Sequence, residues 1–286
     1  FTLTLKDGVL TVPNFESGLF TGKVTLGGKM VSDADPRKPL AVEGKASVAN
    51  VALSPMVKAF TGALPLDADG NVSMTLDAAA AGVSMAALVF DLNGGGTLNG
   101  KDVTLKGVDL ARFGNALSDK TKPGDTLKGL WAGASSGGQT QFKTMDGTFK
   151  IREGVVQFDK LALDGPQALI ETTGTINLPQ WSVDLKNHIT LRQAAKDGND
   201  PPPPFDIAIS GPLDNPGQTF GQGILEDYLQ RKIDRKLQGV ISDKVQGKLG
   251  KALPSALQGI LAPQGGTTPA SDGGAATTTT TGTGAT

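Results

Sequence analysis

The sequence predicts a mainly β protein, in which an antiparallel sheet is extended by repeated hairpin units and is followed by one long amphipathic helix. Three observations lead to this fold class. Polar and apolar residues alternate over several consecutive segments of 148–191, and residues 1–30 repeat part of that stretch. A long segment with the periodicity of an amphipathic helix first appears after residue 221. Only short helices are predicted between the strands.

The segment 148–191 is the clearest part of the predicted sheet. In its last strand, 181–191, the apolar residues share one face and the polar residues share the other, and Asn187 alone interrupts the apolar face. Residues 152–154 and 178–180 supply turns between strands. The segment therefore reads as four consecutive antiparallel strands, a meander with one apolar and one polar face.

Residues 1–30 resemble the start of this meander. Residues 2–12 align without gaps on 148–158, with Gly8 on Gly154, and after a few extra residues 22–26 align on 174–178. Two copies of one hairpin unit indicate a sheet that is extended by repetition. The alternative is that any two β-hairpins look alike.

The other segments are predicted from local patterns and capping residues. In chain order these are a polar loop at 31–39, a strand at 40–53, a short helix from Ser54 to about Thr61, a turn and strand at 66–76, a short helix at 84–92 that 93–96 terminates, a strand at 97–108, a helix capped by Asp109 to about Leu117, a loop with one helical turn at 120–138, a Pro-rich connector at 196–204 and a strand at 205–210.

The long helix is predicted from Gln222 to about Lys251, and Pro254 ends or kinks it. Its apolar stripe consists of Leu225, Leu229, Ile233, Leu237, Val240, Ile241, Val245 and Leu249. The helix could cover the sheet as a lid, pair with a partner helix or lie on a membrane surface. The first two are favoured, because its polar face is only mildly basic and its apolar face has no Trp or Phe. Residues 263–286 form a low-complexity tail that we expect to be disordered.

Composition excludes several classes of function. The net charge is close to zero and no basic cluster is present, which argues against a nucleic-acid partner. The absence of Cys excludes disulfides and thiolate metal sites, and no apolar run is long enough to span a membrane. The chain begins at Phe1 within a strand pattern, so we expect that an N-terminal part of the protein precedes it.

Motifs that carry chemistry are weak. Residues 67–71 resemble a calcium loop, but their Gly is two places early and the closing Glu is an Ala. The Gly-rich segment 94–100 follows a helix rather than a strand, so it does not fit a dinucleotide site. His188 is the only His and lies on the polar strand face, where we expect a solvated side chain. We therefore expect no enzyme activity, no metal and no cofactor.

Two motifs carry a resemblance to a known family. Gly-Val-Ser-Met-Ala-Ala-Leu at 82–88, with its Gly-rich exit, and Gly-Pro-Leu-Asp-Asn-Pro at 211–216 occur in a succession of strands and turns that resembles the C-terminal region of AsmA-like proteins of Gram-negative bacteria. The resemblance covers about residues 1–218. Its motifs are structural and carry no information on catalysis.

The resemblance implies a location and a function. AsmA-like proteins are anchored in the inner membrane by an N-terminal helix and extend into the periplasm, where a long, curved sheet forms a groove with an apolar lining. The family is associated with outer-membrane biogenesis and with moving phospholipid between the two membranes. For this chain it implies an AsmA-like β domain at 1–218, followed by a helical segment at 219–262 and the tail at 263–286.

The apolar face of the sheet is the candidate ligand surface. A lipid could replace the layer that an apolar sheet face otherwise needs, and its candidate lining residues are Trp181, Val183, Leu185, Ile189, Leu191, Phe205, Ile207 and Ile209. An ordinary packed β core is the alternative for this face. Two further functions stay open: an assembly scaffold for outer-membrane proteins that binds an envelope protein through the C-terminal helix, and a surface adhesin suggested by the repeat and the Thr-rich tail.

Overall fold

The computed structural model describes residues 3–19, 21–35, 37–55, 67–118, 125–192, 201–221 and 223–252, and for 243–252 it describes the backbone alone. The predicted tail at 263–286, most of the predicted helix at 54–61 and part of the connector at 196–204 lie outside these residues. The chain divides into two compact units, Phe1–Leu237 and Gln238–Thr286. The sheet and the side chains packed against it belong to the first unit.

The described strands form one open, curved antiparallel sheet in which each strand pairs with its neighbours in sequence. This confirms the predicted fold class. The strands are β1 Thr4–Lys6, β2 Val9–Leu19, β3 Gly22–Val31, β4 Leu40–Ala52, β5 Asp67–Gly82, β6 Asn93–Lys106, β7 Gln139–Arg152, β8 Val155–Asp164, β9 Ala168–Asn177, β10 Ser182–Leu191, β11 Phe205–Pro212 and β12 Gly217–Phe220.

Four helices are described from their first to their last residue: α1 Met85–Phe90, α2 Leu110–Ser118, α3 Leu127–Ala134 and α4 Ile224–Ala252. Ser84 caps α1 by accepting a hydrogen bond from the Ala87 amide, and Asp109 Oδ1 accepts from the Arg112 amide at the start of α2. Both caps confirm the helix starts that the sequence predicts.

The two repeated hairpins share their turn geometry. The φ angles are 50° at Asp7 and 76° at Gly8, and 49° at Glu153 and 72° at Gly154. Two consecutive residues in the left-handed region form the tight turn whose twist matches that of its strands, and glycine adopts this region without steric cost.

The second half of the predicted repeat alignment is wrong by six positions. Gly28 pairs with Val12 just as Gly174 pairs with Phe158, and a bulge follows each pair in the same place. Gly28, not Gly22, is therefore the equivalent of Gly174, and the match runs without a gap from the first strand into the third. The repeated unit is a three-strand segment, β1–β3 and β7–β9.

Helices α2, α3 and α4 cover one part of the apolar face and form the main core with it. Phe113 of α2 is fully buried, and its ring centroid lies 5.3 Å from that of Trp131 and 5.5 Å from that of Phe205, both in edge contact. Lys232 of α4 is 4% exposed and donates through Nζ to the carbonyl oxygens of Leu117 and Ser118. This contact ties α4 to the C-terminal end of α2, where carbonyls lack partners within the helix.

Several element predictions need correction. Strand β6 begins at Asn93, four residues before the predicted start at Thr97, because α1 already ends at Phe90 and the backbone of 93–96 pairs with β5 and β7. The segment 120–138 contains the two-turn helix α3, which Thr126 caps through its hydroxyl to the Gly129 amide. Strand β5 continues past Leu76 to Gly82, since its alanine run pairs with both neighbouring strands.

Candidate functional site

Antiparallel pairing arranges the inward-facing residues of the sheet in rows that run across the strands. Three rows cross the N-terminal half. The floor row is Val12, Gly28, Gly44, Ala78 and Gly94; the Leu26 row is Phe15, Leu26, Ala46, Leu76 and Gly96; the Met30 row is Leu10, Met30, Val42 and Ala80.

These three rows, as far as their β5 members, line an open apolar trough of about 570 Å³. Its lining also includes Leu3 and Leu92 and the intervening residues Gly27, Lys29, Glu43, Lys45 and Ala79. Gly94 and Gly96 of β6 continue two of the rows beyond this lining. The Leu26 side chain is 42% exposed, although it lies on the apolar face of the sheet. An exposed apolar surface of this extent is typical of a binding site rather than of ordinary protein surface.

The trough is deep because its floor row has small residues. Three of the five positions are glycine and a fourth is alanine, so almost no side chains project from the sheet along the floor row. A Cβ on Gly28 would lie 2.9 Å from the Cα of Gly44. The adjacent strands therefore approach each other more closely at this point than side chains would allow.

Helices bound the trough on two sides. Helix α1 packs over the inner face at the end of β5, where a Cβ on Gly82 would meet the Leu88 backbone nitrogen at 2.6 Å. On the other side, the row that begins at Val51 and Val72 is buried as part of the core under α2, α3 and α4. The apolar face thus has a covered part and an open part, side by side on the same strands.

The charged residues of these strands face away from the trough. Lys29 pairs with Glu43 at 2.7 Å and Lys45 with Asp77 at 3.0 Å, and all four side chains alternate with the inward-facing rows. The same pattern continues along the outer face in the pairs Glu16–Lys23, Lys150–Asp159 and Lys160–Glu171. The Lys160 ammonium lowers the pKa of the Glu171 carboxyl through a hydrogen bond, and the pKa of Lys160 is raised by the same contact.

His188 belongs to this outer face, as the sequence predicts. Its Nδ1 lies 2.7 Å from Asp206 Oδ1, while Lys186 Nζ lies 2.9 Å from Asp206 Oδ2. Hydrogen bonds from Lys186 and then from His188 lower the pKa of the Asp206 carboxyl. The arrangement is a surface ion-pair network across β10 and β11, with the histidine as one member.

Most of the predicted lining residues lie in the covered part of the apolar face or beside it. Ile189, Leu191, Phe205 and Ile207 belong to the core under α2, α3 and α4, where each is at most 5% exposed. Val183 is also buried, at 6% exposed, while Leu185 and Ile209 are half-buried. Asn187, the polar interruption, accepts a hydrogen bond from the Thr172 hydroxyl and donates to the Ile207 carbonyl. Ile189, Leu191, Phe205 and Ile207 therefore belong to an ordinary packed core, which was the alternative to a lipid-binding surface.

Trp181 does not share the apolar strand face, contrary to the prediction. It lies in the turn before β10 with a φ of 50°, and its side chain is 46% exposed. The turn is held by Asn177, whose side-chain oxygen accepts from the Gln180 amide, and by the Trp181 amide, which donates to the Leu178 carbonyl. The left-handed backbone breaks the alternation that placed Trp181 with Val183.

The predicted apolar stripe of α4 changes from buried to exposed along the helix. Leu225, Leu229 and Ile233 are buried in the core, at 1%, 5% and 8% exposed. Leu237, Val240 and Ile241 are exposed, at 41%, 53% and 59%. The side chains of Val245 and Leu249 lie outside the described residues. The first half of the stripe thus covers the sheet as the lid interpretation expects.

The trough residues were missed because the sequence signal there is weak. Leu10 and Val12, Val42 and Ala46, and Leu76 and Ala78 do alternate with polar residues, which is the signal that could have found them. The signal ends in the alanine run at 78–81. However, glycine and alanine at the floor lower the apparent hydrophobicity of the very strands that form the open surface.

Within the described residues, no group of His, Cys, Asp or Glu is arranged to hold a metal ion. Among the described helices, none combines the length and apolar character that crossing a membrane requires.

Comparison with known proteins gives one match. The model of the AsmA family matches residues 1–161, which is more than half of the chain and includes all the strands that line the trough. No curated protein and no solved structure matches the chain.

Proposed function

The chain belongs to the AsmA family, and on that premise we propose that its apolar trough holds the acyl chains of phospholipids. The family is one of the cell envelope. In this proposal the sheet is part of a periplasmic groove that carries phospholipid between the inner and outer membranes and so supports outer-membrane biogenesis. In this proposal an N-terminal anchor holds the protein at the inner membrane.

One observation carries the proposal: the inner face of β2–β5 is apolar and open along the three rows of the trough, while the row beside them on the same face, which contains Val72, is covered by helices. Each methylene that leaves water for an apolar surface contributes about 0.8 kcal/mol. An acyl chain lying along several rows of the trough is therefore held by several kcal/mol without any polar contact.

We also propose that the chain acts without catalysis. The side chains that point into the trough carry no titratable group, because Lys29, Glu43 and Lys45 point to the outer face. General acid–base chemistry needs such a group within hydrogen-bond reach of the reacting atoms. Phospholipid recovered from the purified protein should accordingly be chemically unchanged, as judged by mass spectrometry.

The experiment that tests the proposal is site-specific photo-crosslinking in cells. A photoreactive residue at Leu26, Val42 or Leu76 should attach phospholipid, because these side chains point into the trough. The matched controls are Ser47 and Ala79, which lie on the same strands and face outward. Equal labelling of both sets, or no lipid at any position in folded protein, would contradict a lipid-holding trough.

A scaffold without lipid conduction is the second candidate, and a specific observation favours it. Leu237, Val240 and Ile241 form an exposed apolar stripe on α4 that suits an envelope-protein partner. If the scaffold function is correct, charged substitutions on this stripe should abolish envelope function while changes in the trough are tolerated.

A further inference from the structure

We infer that Phe149 forms an end wall of the trough, so that bound acyl chains stop at strand β6 and do not continue over β7–β12. This inference rests on the proposed function and identifies the residue that limits how far along the sheet a lipid can lie. It concerns a boundary within a continuous sheet, because the strands themselves pair without interruption from β1 to β12.

The first step is the change in side-chain size between two adjacent strands. In the floor row, Gly94 of β6 pairs with Ile151 of β7, and in the Leu26 row, Gly96 of β6 pairs with Phe149 of β7. Both rows therefore change from glycine to a large side chain at the same strand boundary. Beyond it they continue with Val156 and Phe158 of β8.

The second step is the direction in which Phe149 leans. A Cβ on Gly96 would lie 2.7 Å from the Phe149 Cζ, so the tip of the ring covers the space above Gly96. The ring thus projects back over β6, toward the trough. A Cβ at position 96 would meet both this ring and, closer still, the Thr75 backbone oxygen, so the two contacts together require glycine there.

The third step is the support behind the ring. Phe158 packs against Phe149 with ring centroids 6.1 Å apart and planes at 57°. Phe149 is only 9% exposed and Ile151 only 5%. A side chain held from behind and nearly buried is fixed in place and is not a flexible flap.

The extent of the trough agrees with such a wall. Its lining comes from the strands up to β5 and from Leu92, so it ends beside β6, where the Phe149 ring lies over Gly96. Leu185 and Ile209 continue the Leu26 row beyond Phe158 and Gly174, yet they lie on the far side of the wall. The wall separates the open N-terminal part of the apolar face from these positions.

The consequence for transfer is that lipid cannot move along the sheet past β6. It must enter and leave through the exposed part of the trough that lies before β7. The wall also gives the trough a fixed length along the row direction.

Photo-crosslinking in cells, in the full-length protein, tests the wall. In the wild-type protein we expect phospholipid on a photoreactive residue at Leu76 and only background labelling at Leu185 and Ile209. In F149A the labelling at Leu185 should rise several-fold above background. F149L, which keeps most of the bulk, is the matched control and should retain the wild-type pattern.

The outcomes separate this inference from the proposed function. Labelling at Leu185 or Ile209 equal to that at Leu76 in the wild-type protein would overturn the wall and leave the lipid trough standing. Absence of labelling at Leu76 as well would overturn both. Folded F149A with background labelling at Leu185 would also overturn the role of Phe149. If F149A does not fold, the wild-type comparison decides alone.

Discussion

Individual charged residues on the outer face of the sheet act in pairs that cross from strand to strand. Asp206 takes part in two such contacts, because it accepts from Lys186 on one oxygen and from His188 on the other. Its side chain is 31% exposed, which is less than that of its partners. Pairs at such positions contribute modestly, in the range of about 0–1 kcal/mol, because water screens the charges.

The lowered pKa of Asp206 gives a pH-dependent prediction. Since folding depresses this pKa, the carboxylate stabilises the protein above its ordinary titration range, and the contribution disappears as the pH falls through the lowered value. D206N should therefore reduce the free energy of unfolding by about 1 kcal/mol at neutral pH. The difference from wild type should vanish in strong acid, as measured by denaturant unfolding at both pH values.

Asp184 provides the control for this measurement. It lies on the same outer face, on β10, and is exposed. D184N should leave the unfolding free energy nearly unchanged at neutral pH. A D206N deficit that persisted in acid would show that the effect comes from packing and not from the charge.

At the scale of elements, helix α4 shows how one amphipathic pattern serves two environments. Its first three stripe residues enter the core beside Phe220 and α2, while the next three are exposed. The helix is anchored at its N-terminal end also by Lys232, whose ammonium is held by two carbonyl oxygens of α2. The covering function of α4 is therefore concentrated in its first half.

The same substitution at two positions of α4 should have unequal effects. L225A removes a side chain that is 1% exposed and should destabilise the protein by about 3 kcal/mol. L237A removes one that is 41% exposed and should cost less than about 1 kcal/mol. Chemical denaturation of the first unit measures both. Equal losses would contradict the placement of Leu225 in the core.

The sequence could predict elements better than their environment. Alternation alone located β7–β10, and capping residues located the starts of α1 and α2. It could not show which stretches of the apolar face are covered, because α2, α3 and α4 reach Ile189 and Phe205 from distant parts of the chain. It also placed Trp181 in the strand, since a left-handed turn residue interrupts the pattern without changing the residue types around it.

The whole first unit is a single layer of strands with two different faces. The outer face is joined by ion pairs from β2 to β11. The inner face is mostly apolar, with the hydrogen-bonded Thr172 and Asn187 as polar members, and it is covered by helices in one part and open in another. The floor row of the trough consists mainly of glycine and alanine. The space available to a ligand therefore depends on the small size of these residues as much as on the apolar side chains around them.

Two adjacent alanines of β5 point to opposite faces of the sheet. Ala78 lies in the floor row, and Ala79 points outward beside it. A78F should fill the trough, reduce lipid crosslinking at Leu26 several-fold and impair envelope function, while the protein remains folded. A79F adds the same bulk to the outer face and should behave as wild type in both assays. Equal effects of the two substitutions would indicate that the trough is not the functional surface.

The strictly sequential pairing of the strands constrains how such a protein can change length in evolution. Gaining or losing two strands adds or removes about 10 Å of sheet and leaves every later turn at its original rim. A single strand would move all later turns, and the helices attached to them, to the opposite rim. The two copies, β1–β3 and β7–β9, start six strands apart, which is an even number, so growth by pairs of strands preserves the rim at which every later turn lies.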